Sequence, residues 1–204
     1  MKKHFFISLL LLCMVCCQFK LFAQNETETL FGNKGLINTE NLGFFIAPSY
    51  GFTQMDGSNT TLLNLRGGIS FKDKFTAGAY FNTSHNESRP LSETSPNIYM
   101  DYWTVGGFVE YTVASQKVVH LTFPFNIGYG EVKMNDGNGG SDFGVSGFFQ
   151  LEPVALVEVN ISQYVRFNAG AGYRLVGNMN YRNINQSDLS GLTTYIGLKI
   201  GVFR

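Results

Sequence analysis

Strict alternation of apolar with polar or small residues is the feature that most constrains what this chain can fold into. In residues 119–129 and 165–175 every second residue is apolar, and the residues between them are polar, charged or small. A period of two predicts β-strands, because successive side chains of a strand point to opposite faces. Each of these apolar faces extends over 11 residues, close to the roughly 9–11 that a tilted strand needs to cross a bilayer.

Eight such segments can be drawn along the chain, and the connections between them alternate in length. Tight turns at 72–74, 114–117 and 161–163 alternate with longer loops. An even strand number with short turns at one end is typical of transmembrane barrels and places both termini in the periplasm. We predict an all-β, antiparallel, eight-stranded, up-and-down transmembrane β-barrel. The predicted strands are about 43–54, 62–71, 75–83, 98–113, 118–131, 147–160, 164–176 and 191–203, and the predicted outer loops are 55–61, 84–97, 132–146 and 177–190.

Aromatic residues beside the tight turns favour this barrel over a soluble β-sandwich, whose strands also alternate. Phe71 and Phe75 flank the first turn, and Tyr111 and Tyr164 lie next to the other two. Girdles of aromatic residues mark the membrane interfaces of outer-membrane barrels. A sandwich has no such interface, so its turns have no comparable use for these residues.

The first residues predict export. Lys2 and Lys3 precede an apolar run of thirteen residues that is too short to span a bilayer, and Ala23 ends a short stretch suited to cleavage. We predict a cleaved signal peptide over 1–23, a polar periplasmic lead-in over 24–41 and the barrel over 42–204. Two alternatives are an uncleaved membrane anchor and a lipoprotein. The lipoprotein alternative is disfavoured because Cys16 and Cys17 each lack the small preceding residue that lipid attachment prefers.

Composition excludes several classes of function. All three cysteines lie within the predicted signal, so the mature chain has no disulfide, thiolate metal site or cysteine nucleophile. The 181 residues after Ala23 contain 12 basic and 15 acidic residues and carry a net charge of −3. Because no basic stripe is present, we expect no nucleic-acid partner.

The inward faces of the predicted strands collect charged residues. An eight-stranded barrel is only wide enough for side chains to fill its interior, and buried charges there must be paired. We therefore predict a filled polar interior with a structural role, and treat a proton path or narrow channel as the alternative. The predicted lumen cluster consists of Arg66, Glu110, His120, Glu152, Glu158, Arg166, Arg174 and Lys199.

Other constellations carry weaker signals. His85, in the loop 84–97 with Ser84, Glu87 and Ser88, is the candidate for a lipid-acting enzyme, but adjacent polar residues in one loop rarely form an oriented nucleophile and base. Residues 135–142 contain the carboxylates and amides that could bind Ca²⁺, but no bidentate glutamate follows at the required spacing. We predict no catalytic residue, no metal site and no cofactor.

Three stretches resemble a known group of proteins. They are residues 43–57 (GFFIAPSYGFTQMDG) with the following Arg66-Gly67-Gly68, residues 118–130 (VVHLTFPFNIGYG) and residues 152–174. They are similar to the small eight-stranded outer-membrane β-barrels of gram-negative bacteria, and more narrowly to a largely uncharacterised family of them. The resemblance implies architecture and outer-membrane localisation, but no ligand or reaction.

One position departs from that resemblance. Such barrels usually end on an aromatic residue in phase with the outward face of the last strand, whereas here the outward phase runs through Val202 to Arg204 and puts Phe203 inside. We expect a structural, envelope-integrity or surface-binding protein. Its expected partners are outer-membrane lipid, the outer-membrane assembly machinery and an extracellular partner at the loops 84–97, 132–146 and 177–190.

Overall fold

The computed structural model describes residues 41–94, 97–136 and 142–203, apart from the side chains of Asp142 and Asn180. The predicted signal peptide, and the lead-in up to residue 40, lie outside these ranges and stay predictions. Most of the loop considered for calcium also lies outside, because residues 137–141 are not described.

Eight antiparallel strands close into a barrel in the described part of the chain, which confirms the predicted fold. The sheet closes where β1 pairs with β10, with Phe44 opposite Val202 and Thr53 opposite Thr193. Every other pair of neighbours in the barrel is consecutive apart from β7 and β10, which are separated by a short excursion at the outer end. The barrel strands are β1 (Leu42–Met55), β2 (Ser58–Phe71), β3 (Phe75–Ser84), β4 (Tyr99–Val113), β5 (Val119–Asn135), β6 (Asp142–Asn160), β7 (Val165–Gly177) and β10 (Gly191–Val202).

The first outer connection differs from the predicted loop over 55–61. β1 and β2 are joined only by Asp56 and Gly57, whose φ angles of 46° and 71° are both positive. Two residues with positive φ form the type I′ turn, for which Asp-Gly is a preferred sequence. The segment 58–61 therefore continues the hairpin as strand, and the prediction of a loop there is wrong.

Two other outer connections also contain more regular structure than expected. β5 reaches Asn135 and β6 begins at Asp142, so most of the predicted loop 132–146 is strand. The predicted loop 177–190 contains a small hairpin, β8 (Asn180–Tyr181) paired with β9 (Ile184–Asn185), and a single helical turn, α1 (Gln186–Leu189). Inward-facing apolar residues in this segment explain why it folds back onto the barrel.

The barrel exterior is apolar over its central band. Phe44, Ile46, Val109, Ile127 and Phe149 are all more than half exposed although they are large and apolar. Aromatic rings border this band at both ends. The Phe75 and Tyr111 rings lie 5.0 Å apart near the short turns, and the Tyr129 ring lies edge-on to Trp103 and Phe149 at the other end. Such a surface is stable in hydrocarbon between two interfaces, and exposing it to water would be costly.

Candidate functional site

The periplasmic half of the interior holds a buried ion-pair cluster. The Lys199 ammonium lies 2.7 Å from a Glu110 oxygen and 2.6 Å from a Glu158 oxygen. The other Glu110 oxygen lies 3.5 Å from the Arg66 guanidinium. These side chains project inward from β2, β4, β6 and β10, because they occupy the polar phase of each strand. Lys199 therefore joins two carboxylates that would otherwise repel each other inside the barrel.

Arg166 closes this cluster at the periplasmic mouth. Its guanidinium forms a bidentate pair with Asp73, lies 3.9 Å from Glu158 and stacks 3.6 Å from the ring centroid of Phe203. Asp73 was missed in the sequence because it belongs to a tight turn and not to a strand. Phe203 faces inward, as its phase predicted. The aromatic end of the chain therefore covers an arginine and does not face lipid.

His120 completes the cluster. One ring nitrogen lies 3.2 Å from the Lys117 carbonyl oxygen and the other lies 3.2 Å from Glu158. The carbonyl belongs to the β4–β5 turn, so the ring ties that turn to the interior of the barrel. Both contacts fit a hydrogen-bonded structural histidine.

Glu152 lies apart from these ion pairs and is held by neutral donors. Tyr195 donates its hydroxyl to Glu152 at 2.6 Å, Asn126 donates at 3.1 Å and Gln150 at 3.4 Å. Tyr102 in turn donates to the Gln150 side-chain oxygen. These three neutral donors stabilise the buried Glu152 carboxylate.

Arg174 is also separate from the ion-pair cluster. Its Nε donates to the Leu189 carbonyl oxygen at 2.7 Å, and its terminal nitrogens donate to Thr193 and Thr53. The guanidinium lies 5.5 Å from the ring centroid of Tyr102. No carboxylate lies within 4 Å of it among the described residues. The expectation that buried charges in the lumen are paired with opposite charges therefore does not hold for Arg174 among the described residues.

All eight residues of the predicted lumen cluster are buried inside the barrel. The structure brings six of them together and leaves Glu152 and Arg174 in separate networks. Their purely structural role stays a prediction.

The outer end of the interior is apolar, a feature that the alternation alone did not reveal. Met100 lies directly opposite Met134, and the Tyr102 and Phe148 rings stack at 5.5 Å. Met179, Ile184 and Leu189 reach this cluster from the segment between β7 and β10. We call this cluster the plug; its buried members are Met55, Leu62, Ile98, Met100, Tyr102, Val132, Met134, Phe148, Val176, Met179, Ile184 and Leu189.

Polar contacts join the segments above the plug into one layer, which we call the cap. Arg182 forms a bidentate pair with Glu93 at 2.6 and 3.1 Å, and this partner raises the pKa of the guanidinium. Asp56 accepts from the backbone and hydroxyl of Ser92 at 2.8 and 2.7 Å. Tyr181 donates to the carbonyl oxygens of residues 143 and 144. The cap therefore links the β1–β2 turn, the β3–β4 connection, the outer end of β6 and the segment between β7 and β10.

The residues considered for an enzyme are not arranged as a catalytic group. His85 is exposed, and its ring lies edge-on 6.5 Å from that of Tyr50. Ser84 accepts from the Tyr102 backbone, and Ser88 bonds Thr60 at 2.8 Å. In the described part of the chain, no hydrogen bond joins His85 to either serine or to Glu87.

Two further absences hold for the ranges given above. No group of three or more histidine, cysteine, aspartate or glutamate side chains there is placed to hold a metal ion. None of the helical structure in those ranges is long and apolar enough to cross a bilayer.

Known structures share this fold. The chain matches no family model and has no significant match among curated proteins. It is similar to Neisserial surface protein A, with a TM-score of 0.57 and 13% identity over 80% of this chain and 97% of that one. It is also similar to the outer membrane protein OprG from Pseudomonas aeruginosa, with a TM-score of 0.54 and 11% identity over 79% of this chain and 97% of that one. The closed sheet, its apolar exterior and these similarities show that the chain has the fold of small eight-stranded outer-membrane β-barrels.

Proposed function

We propose that the protein is a closed, non-conducting barrel that serves envelope integrity and presents the cap as a binding surface outside the cell. The observation that carries this proposal is the combination of a filled interior with a cross-linked cap. A cap held by Arg182–Glu93 and Asp56–Ser92 loses little conformational freedom when it binds, which favours recognition.

The alternative of a narrow channel has less support. Ions that entered from outside would first meet the plug, whose buried members are apolar apart from the Tyr102 hydroxyl and offer little to replace their hydration. Below it, the Lys199, Glu110 and Glu158 side chains occupy the lumen and form ion pairs with one another. Neither the plug nor the ion pairs below it offer the series of weak ion-binding sites that conduction needs.

Planar-bilayer recording tests this closure. Protein whose folded state is verified by heat-modifiable gel migration should give no steady conductance after insertion. Boiled protein from the same batch serves as the control for detergent artefacts. Reproducible conductance steps from the folded sample alone would contradict the proposal and favour the channel.

The binding role of the cap has its own test. Leu91 is 74% exposed in the cap, where its N–H donates to the Asp56 carbonyl oxygen at 3.2 Å. A strain lacking the protein should become sensitive to large hydrophilic antibiotics and recover when the full chain is restored. Leu91→Asp should fail to restore resistance if the cap binds a partner, whereas Gln116→Asp in a periplasmic turn should restore it. If Leu91→Asp restores antibiotic resistance as well as Gln116→Asp does, the binding role of the cap is contradicted and only the structural role of the barrel is left.

We further propose that the protein is not an enzyme. The contacts of Ser84 and Ser88 are structural, and His85 lacks an orienting partner in the described residues. A lipid hydrolysis assay in nanodiscs should show equal background for the natural chain and His85→Ala. Loss of a measurable rate in the variant would restore the enzyme alternative.

A further inference from the structure

A cleft of about 800 Å³ lies on the outside of the barrel at its outer end. Its floor is the outward face of β1, β2 and β10. Its upper edge is formed by the β1–β2 turn and by α1, which are joined by a hydrogen bond of 2.7 Å from the Asp56 N–H to the Asp188 carbonyl oxygen. The cleft lies between this hydrogen-bonded edge and the outward face of the sheet.

The cleft begins where the apolar band ends. Tyr50 lies opposite Leu63 and Ile196, and this row of outward side chains is apolar. In the next row outward, Phe52 lies between Thr61 and Thr194. The cleft therefore lies at the boundary between hydrocarbon and lipid headgroups.

Its lining has the chemistry of a hydroxyl-binding site. Phe52 and Leu192 supply apolar surface. Gln54 donates to Asn59 at 3.1 Å, which leaves the Gln54 oxygen and the Asn59 amide nitrogen facing no partner within this pair, and Thr61 and Thr194 supply hydroxyls, that of Thr194 lying 3.4 Å from the Phe52 carbonyl oxygen. No lysine, arginine or histidine lines the cleft among the described residues. Phosphate groups would therefore find no counter-charge there.

Two carboxylates in the lining also favour uncharged hydroxyl groups over phosphate groups. Asp56 uses one oxygen to hold Ser92, and Asp188 uses one oxygen to accept from the Asn185 N–H. In the described residues the second oxygen of each has no hydrogen-bond partner. Carboxylate oxygens are strong acceptors for sugar hydroxyls and repel anionic headgroups.

We infer that this cleft binds the uncharged saccharide headgroup of a glycolipid in the outer leaflet. Its acyl chains would lie along the apolar band below Tyr50 and Ile196. The sugar would stack on Phe52 and donate hydroxyls to Asp56 and Asp188. The site borders the cap and shares Asp56 with it, but its floor is the outward face of the sheet, so this inference does not depend on a partner binding the cap outside the cell.

Lipid retention in native mass spectrometry tests the inference. The folded protein is placed in nanodiscs of phosphatidylcholine that contain equal amounts of a monoglucosyl diacylglycerol and phosphatidylglycerol. The natural chain should retain the glucosyl lipid in preference to both phospholipids. The double variant Asn59→Leu and Thr194→Val should reduce that retention about 3- to 10-fold, because two polar partners are lost.

Thr83→Val is the matched control, because it removes a hydroxyl from β3 outside the cleft. It should leave retention unchanged, and heat-modifiable migration should confirm that all variants fold. Preferential retention of phosphatidylglycerol, or equal retention by the double variant and the control, would overturn the inference. Binding of free glucosides without retention of the glucosyl lipid would overturn the assignment to a lipid.

Discussion

At the scale of single residues, two buried cations are stabilised in different ways. Lys199 lies between two carboxylates, whereas Arg174 donates only to a carbonyl and two hydroxyls. The sequence pattern did not distinguish the two residues, because both occupy inward positions of a strand. The difference has consequences for stability, because a carboxylate left buried without a cation is far more costly than an unpaired carbonyl.

We expect Lys199→Met to lower the free energy of unfolding by about 3–5 kcal/mol, because Glu110 and Glu158 lose their shared cation. Arg174→Met should cost about 1–3 kcal/mol, because it mainly leaves the Leu189 carbonyl unsatisfied. Urea unfolding midpoints of both variants, refolded in the same lipid, measure the difference. A larger loss for Arg174→Met would show that Arg174 balances a charge that its contacts do not reveal.

At the scale of one strand, β10 separates a lipid face from a lumen face. Leu198 is 39% exposed in mid-strand, and Leu192 is 61% exposed on the same face near the outer end. Leu198→Arg should cost about 2–4 kcal/mol, whereas Leu192→Arg should cost about 0–1 kcal/mol, because the penalty for a cation falls towards the interface. Equal costs, measured by denaturant unfolding in lipid, would place the membrane at a different height.

The segment between β7 and β10 should unfold separately from the barrel. Ile184 is fully buried in the plug. Ile184→Ala should destabilise this segment by about 2–5 kcal/mol through the cavity that it leaves. We expect faster protease cleavage within 178–190 while heat-modifiable migration persists. Ser187→Ala, at an exposed position of the same segment, is the control and should leave cleavage unchanged. Collapse of the whole barrel in the Ile184 variant would instead make the plug part of one cooperative unit.

At the scale of the whole molecule, the barrel has two unlike ends. A short epitope inserted at Asn183 in the cap should be reached by antibodies on intact cells. The same epitope at Gln116 in the β4–β5 turn should be reached only after the outer membrane is permeabilised. This follows from short periplasmic turns and an external cap. Labelling of Gln116 alone on intact cells would reverse the orientation.

Alternation was sufficient to predict the strand number, the phase of β10 and the inward positions of all eight lumen residues. It could not predict which charges pair, because pairing depends on strand tilt and on side-chain reach across the barrel. The plug was missed because Met179, Ile184 and Leu189 are five residues apart, a spacing that matches neither the strand period of two nor the helix period of 3.6. The Asp56-Gly57 turn could have been predicted from its dipeptide, but the polar residues after it suggested a longer loop.

The plug makes one surface segment subject to the constraints of a protein core. Asn183, Gln186 and Ser187 are exposed, so antibodies and phages should select for change at such positions. Met179, Ile184 and Leu189 lie among them and are buried. Sequence drift in this segment should therefore follow a fixed spacing, with the apolar anchors retained while their neighbours diversify. Change in this segment is therefore confined to its exposed side chains, because its length and its fold are set by the three buried anchors.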